Sequence, residues 1–143
     1  MTRSGEAITP NQKGNMSNRF LDAYIECALW STNDESRPDG GDPLDRHYTP
    51  ASLSPDTLAR MTADCQQFWA DNINDLATVA RLCDDAKAGH NFWLNRNGHG
   101  TGFWDEYFGP NRALRNAFNR LSSASKAWGT FDLYVGDDGQ IHS

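Results

Sequence analysis

Side chains that could do chemistry are concentrated between residues 89 and 109, in the segment GHNFWLNRNGHGTGFWDEYFG. Two histidines stand there, His90 and His99, and imidazole is the side chain that titrates near neutral pH and binds transition metals. Asp105 could orient a histidine or complete a metal site. These three residues are therefore the candidate catalytic groups of a small hydrolase or nuclease, acting with or without a metal.

A structural interpretation stands beside the catalytic one, because the spacing of these residues matches no common metal-ligand motif. His99 and the glycines around it would form a tight turn, and His90 would cap the end of a preceding helix. Gly98, Gly100 and Gly102 could cradle a phosphate, but their pattern is neither a Walker A motif nor a dinucleotide fingerprint. The sequence predicts no cofactor.

A binding surface is the third interpretation, because aromatic side chains can anchor a hairpin while the polar groups beside them face a ligand. Near the C-terminus, Asp132 and Tyr134 would add a carboxylate and a hydroxyl on one outer face of a strand. The predicted binding residues are Trp93, Asn95, Arg96, His99, Trp104, Asp132 and Tyr134. We assign no metal ligands among them.

Helices must position most of this segment. An apolar stripe predicts a helix over residues 18–31. Ser54-Pro55-Asp56 has the N-cap, first-turn proline and first-turn acid of a second helix. Its apolar spacing continues to about Lys87 with a break or kink near residues 71–75, and Gly89 would end it.

Short strands are predicted on either side of a third helix. His90–Leu94 has the composition of a strand, and residues 111–128 form an amphipathic pattern typical of a helix. Residues 131–142 alternate apolar and polar side chains around a Gly-Asp-Asp-Gly turn, which predicts a closing hairpin. The sequence therefore predicts an α+β fold, with about three helices packed on a small two- to three-stranded antiparallel sheet.

The 143 residues fit a single domain. We expect a flexible polar tail over residues 1–15, one α+β domain over residues 16–143, and within it an acidic loop at 32–53 that is rich in Pro, Gly and Asp. Three cysteines without paired spacing are typical of buried thiols in a reducing compartment, which predicts a cytoplasmic protein.

Charge limits the classes of partner. The net charge is −6, with fourteen acidic and eight basic residues in positions 1–89 and five of each after them. Nucleic acid is therefore not favoured as a general partner, and no apolar run is long enough to span a bilayer. A homodimer is compatible with the composition.

The segment from residues 89 to 108, with FDLYVGDDGQIH near the C-terminus, resembles a group of small uncharacterised proteins encoded by tailed phages, prophages and plasmids of bacteria. Members carry an HDFWLTRNGHGAGFWDR-like stretch and an LYVGDDG-like hairpin. Asn91 and Asn95 stand here where the group has Asp and Thr. The resemblance implies a mobile-element context in a bacterial host, and it implies no activity, cofactor or catalytic residue.

Two functional hypotheses follow. The first is an accessory protein that binds a host or phage macromolecule, with a protein as the favoured partner and host defence as one target, and does no catalysis. Its acidic side chains Asp39, Asp42 and Asp45 would contribute to the contact. The second is the small hydrolase or nuclease centred on the GHGTG turn. The sequence favours the first.

Overall fold

The computed structural model describes residues 16–36, 38 and 41–143, which form five α-helices and two pairs of short strands. The helices are α1 (Asn18–Ser31), α2 (Pro55–Asp71), α3 (Ile73–Val79), α4 (Asp85–Arg96) and α5 (Arg112–Ala127). The strands are β1 (Asn33–Asp34), β2 (Asp42–Pro43), β3 (Tyr134–Val135) and β4 (Ile141–His142). The fold is α+β and mostly helical, so the predicted class is confirmed and the prediction of about three helices is wrong.

The predicted tail and part of the predicted acidic loop fall on residues that the structure does not describe. The tail expected over residues 1–15 lies outside the described residues, as does Asp39 of the acidic loop. None of the described helices combines the length and apolar composition needed to cross a membrane.

The core is built around the aromatic side chains of α4. Phe92 stacks on Phe68 of α2 with ring centroids 4.1 Å apart, and Tyr24 of α1 lies 5.2 Å from the same ring. All three side chains are fully buried. Because aromatic side chains bury more apolar area than any other residue type, this cluster supplies much of the hydrophobic stabilisation that holds α1, α2 and α4 together.

The crossing of α1 and α4 requires a glycine. Gly89 lies inside α4, and a Cβ atom at this position would overlap the carbonyl oxygen of Phe20 on α1. The prediction that Gly89 ends a helix is therefore wrong. The residue permits close backbone contact between the two helices, which is the other common reason for a glycine in a helix.

The long predicted helix after Ser54 is three helices. Ser54 caps α2 as predicted, since its side chain accepts a hydrogen bond from the backbone N–H of Thr57. The helix ends at Asp71, within the predicted kink, because Asn72 leaves helical geometry and its side chain donates a hydrogen bond to the Phe68 carbonyl oxygen. After α3, a turn leads to Asp84, which caps α4.

The strand predicted at His90–Leu94 is wrong, because these residues are the middle of α4. Eight consecutive or nearly consecutive residues of this helix are buried, so its sequence lacks the polar stripe that marks an amphipathic helix. A short apolar run without such a stripe cannot be distinguished from a strand by periodicity alone. The reason for the error is therefore the central position of α4.

Both sheets have two strands, so a three-stranded sheet does not form in the described chain. β3 pairs antiparallel with β4 across the predicted C-terminal turn, and a single parallel bridge joins Leu53 to Ile141. The acidic loop contains β1 and β2, which also pair antiparallel, and it contributes Leu44 to the core. This loop is therefore attached to the domain by its own apolar anchor.

Candidate functional site

The glycine-rich loop after α4 is held by asparagine side chains of that helix. Asn95 accepts a hydrogen bond from the backbone N–H of Phe103 at 2.8 Å, and Asn91 donates one to Glu106 at 2.6 Å. Both asparagines are buried. A Cβ at Gly102, which has a φ of 147°, would overlap the Asn95 amide. The loop therefore follows α4 closely, and these polar groups are used inside the protein.

Arg96 joins the end of α4 to three distant parts of the chain. Its guanidinium donates to the carboxylate of Asp64 at 2.9 Å, to the hydroxyl of Tyr24 at 3.0 Å and to the carbonyl oxygen of Gly129 at 2.8 Å. The residue is only 6% exposed and lies over three aromatic rings, those of Phe92, Trp128 and Phe131. Such a buried, paired and stacked arginine is part of the core.

Asn97 and Trp93 attach two further segments to the same helix end. The side-chain oxygen of Asn97 accepts the backbone N–H of Phe131 at 2.8 Å. The indole N–H of Trp93 donates to the hydroxyl of Ser31 at 2.8 Å, and the Trp93 side chain is otherwise buried. The end of α1, the end of α4 and the segment before β3 therefore meet at one place.

A cleft of about 310 Å³ opens where these three segments meet. We call it the His99 cleft, and its lining is Ser31, Thr32, Asn33, Trp93, Asn97, His99, Thr130, Phe131, Asp132 and Leu133. The lining contains no lysine or arginine. Three of the seven predicted binding residues, Trp93, His99 and Asp132, are thus brought to one surface by segments far apart in the sequence.

The floor and the rim of the cleft differ in what their polar groups do. On the floor, the Ser31 hydroxyl and the Asn97 amide are already hydrogen-bonded within the protein. On the rim, His99 and Asp132 are exposed, and neither side chain has a hydrogen-bond or ion-pair partner among the described residues. The cleft therefore presents the carboxylate of Asp132 and the imidazole of His99 to an incoming group, above a floor that internal hydrogen bonds hold in place.

The three candidate catalytic residues have separate surroundings. The ring of His90 lies 5.8 Å from that of Trp30 on α1. Asp105 accepts hydrogen bonds from the Thr101 hydroxyl and the Gly102 N–H, and so closes its own turn. His99 faces the cleft. No group of three or more His, Cys, Asp and Glu side chains in the described chain could hold a metal ion.

Burial controls the protonation of several groups. Burial lowers the pKa of His90, against the opposing effects of Glu106 and Glu26. Burial also raises the pKa of both Cys27 and Cys83 to about 12. These thiols are therefore protonated at neutral pH and are poor nucleophiles.

The remaining predicted binding residues divide into buried and exposed. Asn95 and Arg96 lie beneath the surface, as described above. Trp104 is 41% exposed and Tyr134 is 57% exposed, and both lie outside the lining of the His99 cleft. Tyr134 instead stacks on His142 across the hairpin.

The sequence did not indicate that residues 31–33 or 130–131 belong to the site. Four of these residues are small and polar, and the fifth is Phe131. They lie at the end of a helix, in a short strand or in a connection. Nothing local relates them to His99, because the contacts that bring them together span up to 68 residues between Ser31 and His99. The packing of α1 against α4 places residues 31–33 there, and the hydrogen bonds of Arg96 and Asn97 to Gly129 and Phe131 place residues 130–131.

Comparison with known proteins found no matching family model, no matching curated protein and no matching solved structure. The resemblance to proteins of phages and plasmids therefore stays a prediction.

Proposed function

We propose that this protein is an accessory protein of a phage or other mobile element that binds a host or phage protein through the His99 cleft and does no catalysis. The observation that carries the proposal is the contrast within the cleft. Its floor is fixed by internal hydrogen bonds, while His99 and Asp132 on its rim have no partner in the described chain.

The chemistry of the lining favours a protein partner. Thr32, Asn33 and Thr130 add hydroxyl and amide groups that can pair with the backbone or the polar side chains of another protein. The absence of lysine and arginine from the lining leaves no group to neutralise a nucleic acid phosphate. The net charge of −6 disfavours such a partner further.

The hydrolase alternative has less support from the geometry. General acid–base catalysis needs a base within hydrogen-bond reach of a nucleophile or a reacting proton, and usually a third group that orients the base. The carboxylate of Asp105 is engaged by Thr101 and Gly102, and the ring contact of His90 is with Trp30. His99 thus lacks an orienting partner among the described residues.

The proposal is tested by affinity capture of the full chain from a lysate of its bacterial host, with bound proteins quantified by mass spectrometry. We expect one protein to be retained in near-stoichiometric amount. His99→Ala and Asp132→Ala should each reduce its recovery several-fold, because each removes a rim group while leaving the core intact. The matched control is Asp137→Ala, which changes an exposed residue outside the cleft.

Two results would overturn the proposal. One is undiminished recovery with the folded cleft variants, which would mean that another surface makes the contact. The other is a native mass spectrum of the purified protein that shows a bound metal or nucleotide lost on His99→Ala, which would favour the hydrolase.

A further inference from the structure

A second concave surface lies on the protein between α3 and the start of α5. It has a volume of about 450 Å³ and is lined by Thr78, Val79, Arg81, Leu82, Tyr107 and Leu114. We call it the Leu82 groove. Its lining shares no residue with the His99 cleft. The groove is lined mainly by aliphatic and aromatic carbon, and Leu82 at its edge is 43% exposed.

A large apolar side chain next to the groove is left in solvent. Phe108 is 80% exposed, the highest value among the exposed large apolar side chains of the described residues, and it follows Tyr107 in the chain. An exposed apolar patch marks an interaction site more often than a single exposed leucine does. Aromatic residues are also enriched among those that dominate binding energy.

The charged residue in the lining of the groove is Arg81. The segments that form its walls, residues 78–82 and 107–115, contain Arg81, Arg112 and Arg115 and no acidic residue, in a protein of net charge −6. None of these three arginines has an ion-pair partner in the described part of the chain.

Several of the acids that border these segments are already engaged, and Asp85 is the exception. Asp75 accepts two hydrogen bonds from Arg120 at 2.8 and 3.0 Å. Asp84 lies 3.7 Å from Arg19, and Glu106 lies 3.5 Å from Lys87 and accepts a hydrogen bond from Asn91. Three of the neighbouring carboxylates are thus engaged by other residues, and Arg81 in the lining is left unpaired for an external group.

We propose that the Leu82 groove is a docking site for an acidic, apolar-anchored peptide segment of a partner protein. Apolar side chains of the segment enter the groove between Val79, Leu82 and Leu114, and a carboxylate of the segment pairs with Arg81 in the lining. Electrostatic complementarity of this kind fixes orientation and selects acidic over basic partners. The helix-in-groove mode of recognition has the same requirements, with apolar anchors at helical spacing.

A second copy of the chain fits this groove less well. A two-fold symmetric contact brings the same patch of both protomers together, so the arginines of one would face the arginines of the other. Single-stranded nucleic acid fits less well too, because Arg81 is the only cation in the lining and the net charge of −6 opposes a polyanion. The test below distinguishes a second copy of the chain and a nucleic acid from the proposed peptide.

The test is a selection from a random 12-residue peptide display library on the immobilised full-length protein. We expect the enriched peptides to be acidic, with apolar residues at positions i, i+3 or i+4. Binding of the enriched peptides, measured by fluorescence anisotropy, should weaken at least tenfold for Leu82→Glu and for Arg81→Glu. Leu58→Glu and Arg46→Glu, which alter exposed residues on α2 and in the acidic loop, should change it less than twofold.

Several results overturn the inference. Enriched peptides that are neutral or basic, no enrichment at all, or affinities insensitive to Leu82→Glu would each exclude an acidic peptide in this groove. Binding of a 20-nucleotide oligo(dT) that Arg81→Glu abolishes would assign the face to nucleic acid. A dimer in light scattering that Leu82→Glu dissociates would assign it to a second copy. The variants His99→Ala and Asp132→Ala should leave peptide affinity unchanged, which separates this inference from the function proposed for the cleft.

Discussion

Asn95 on α4 accepts the backbone N–H of Phe103 through its side-chain oxygen, at 2.8 Å, and both residues are buried. This hydrogen bond closes the glycine-rich loop onto the helix from which it departs. It places Thr101, Gly102 and Asp105 in a self-contained turn and leaves His99 at the surface. The unusual sequence of the segment is thus mostly explained by the requirements of its own fold.

The Asn95→Ala variant should lower the free energy of unfolding by about 1–3 kcal/mol, because it leaves the buried N–H of Phe103 without an acceptor. Urea denaturation measures the change. Hydrogen exchange of the Phe103 amide offers a local check, and unchanged protection in Asn95→Ala would contradict the assigned role.

The Gly89→Ala variant should be destabilised by about 1–3 kcal/mol, the usual cost of overpacking a core. The direction of the change in stability is informative, because replacing glycine by alanine in a helix interior ordinarily stabilises a protein by about 0.5–1 kcal/mol. The added Cβ would overlap the Phe20 carbonyl oxygen and push α1 away from α4. Ala63→Gly, at an exposed position of α2, is the reference for the ordinary propensity effect. A Gly89→Ala protein more stable than the wild type would mean that the two helices are further apart.

The Arg96→Met variant should be destabilised by about 3–5 kcal/mol, the typical cost of removing one partner of a buried ion pair. The loss has three origins, which are the unpaired Asp64 carboxylate, the Tyr24 hydroxyl without its donor, and the Gly129 carbonyl oxygen left unbonded. Thermal unfolding followed by circular dichroism measures the loss. The double variant with Asp64→Asn should recover part of the stability, because it removes the uncompensated charge. The exposed substitution Arg112→Met should change stability by less than about 0.5 kcal/mol.

The pH dependence of stability should include a contribution from His90. Burial lowers its pKa in the folded state, so the unfolded chain binds the proton more tightly. The contribution of neutral His90 to the free energy of unfolding is therefore fully present above about pH 6.5, the ordinary pKa of histidine. It is lost as the pH falls through the lowered pKa of the folded state. NMR titration of the His90 ring should give a midpoint below that value. The difference in melting temperature between the wild type and His90→Gln should shrink below pH 6.5, whereas a constant difference would exclude this linkage.

The sequence predicted those helices that have one polar and one apolar side. The bounds of α1 agree with its prediction, α5 differs by a single residue at each end, and Ser54 caps α2 as expected. In contrast, α4 was predicted as a strand, because burial on nearly all sides removed its periodicity and Gly89 resembled a helix stop. The physical reason for Gly89 is a contact with Phe20, which lies 69 residues away and leaves no local signal.

The candidate site was likewise predictable only where the signal is local. His99 could be selected from its residue type and its glycine-rich turn, and Asp132 from its place on the outer face of a predicted strand, and the structure places both on one cleft. Arg96 was predicted as a binding residue, whereas the structure buries it. Its burial depends on Asp64, Tyr24 and Gly129, which are 32, 72 and 33 residues distant in the chain. Partners at such separations become apparent only from the packed helices.

The cleft is tested most directly by site-specific photo-crosslinking in the bacterial host. A photoreactive phenylalanine analogue at position 130, on the cleft lining, should form an adduct with one host or phage protein. The same analogue at position 123, an exposed site on α5 outside the lining, should form none. An adduct at position 130 that disappears when Asp132→Ala is added would support the His99 cleft as the binding site. The absence of any adduct at position 130, or equal adducts at both positions, would contradict it.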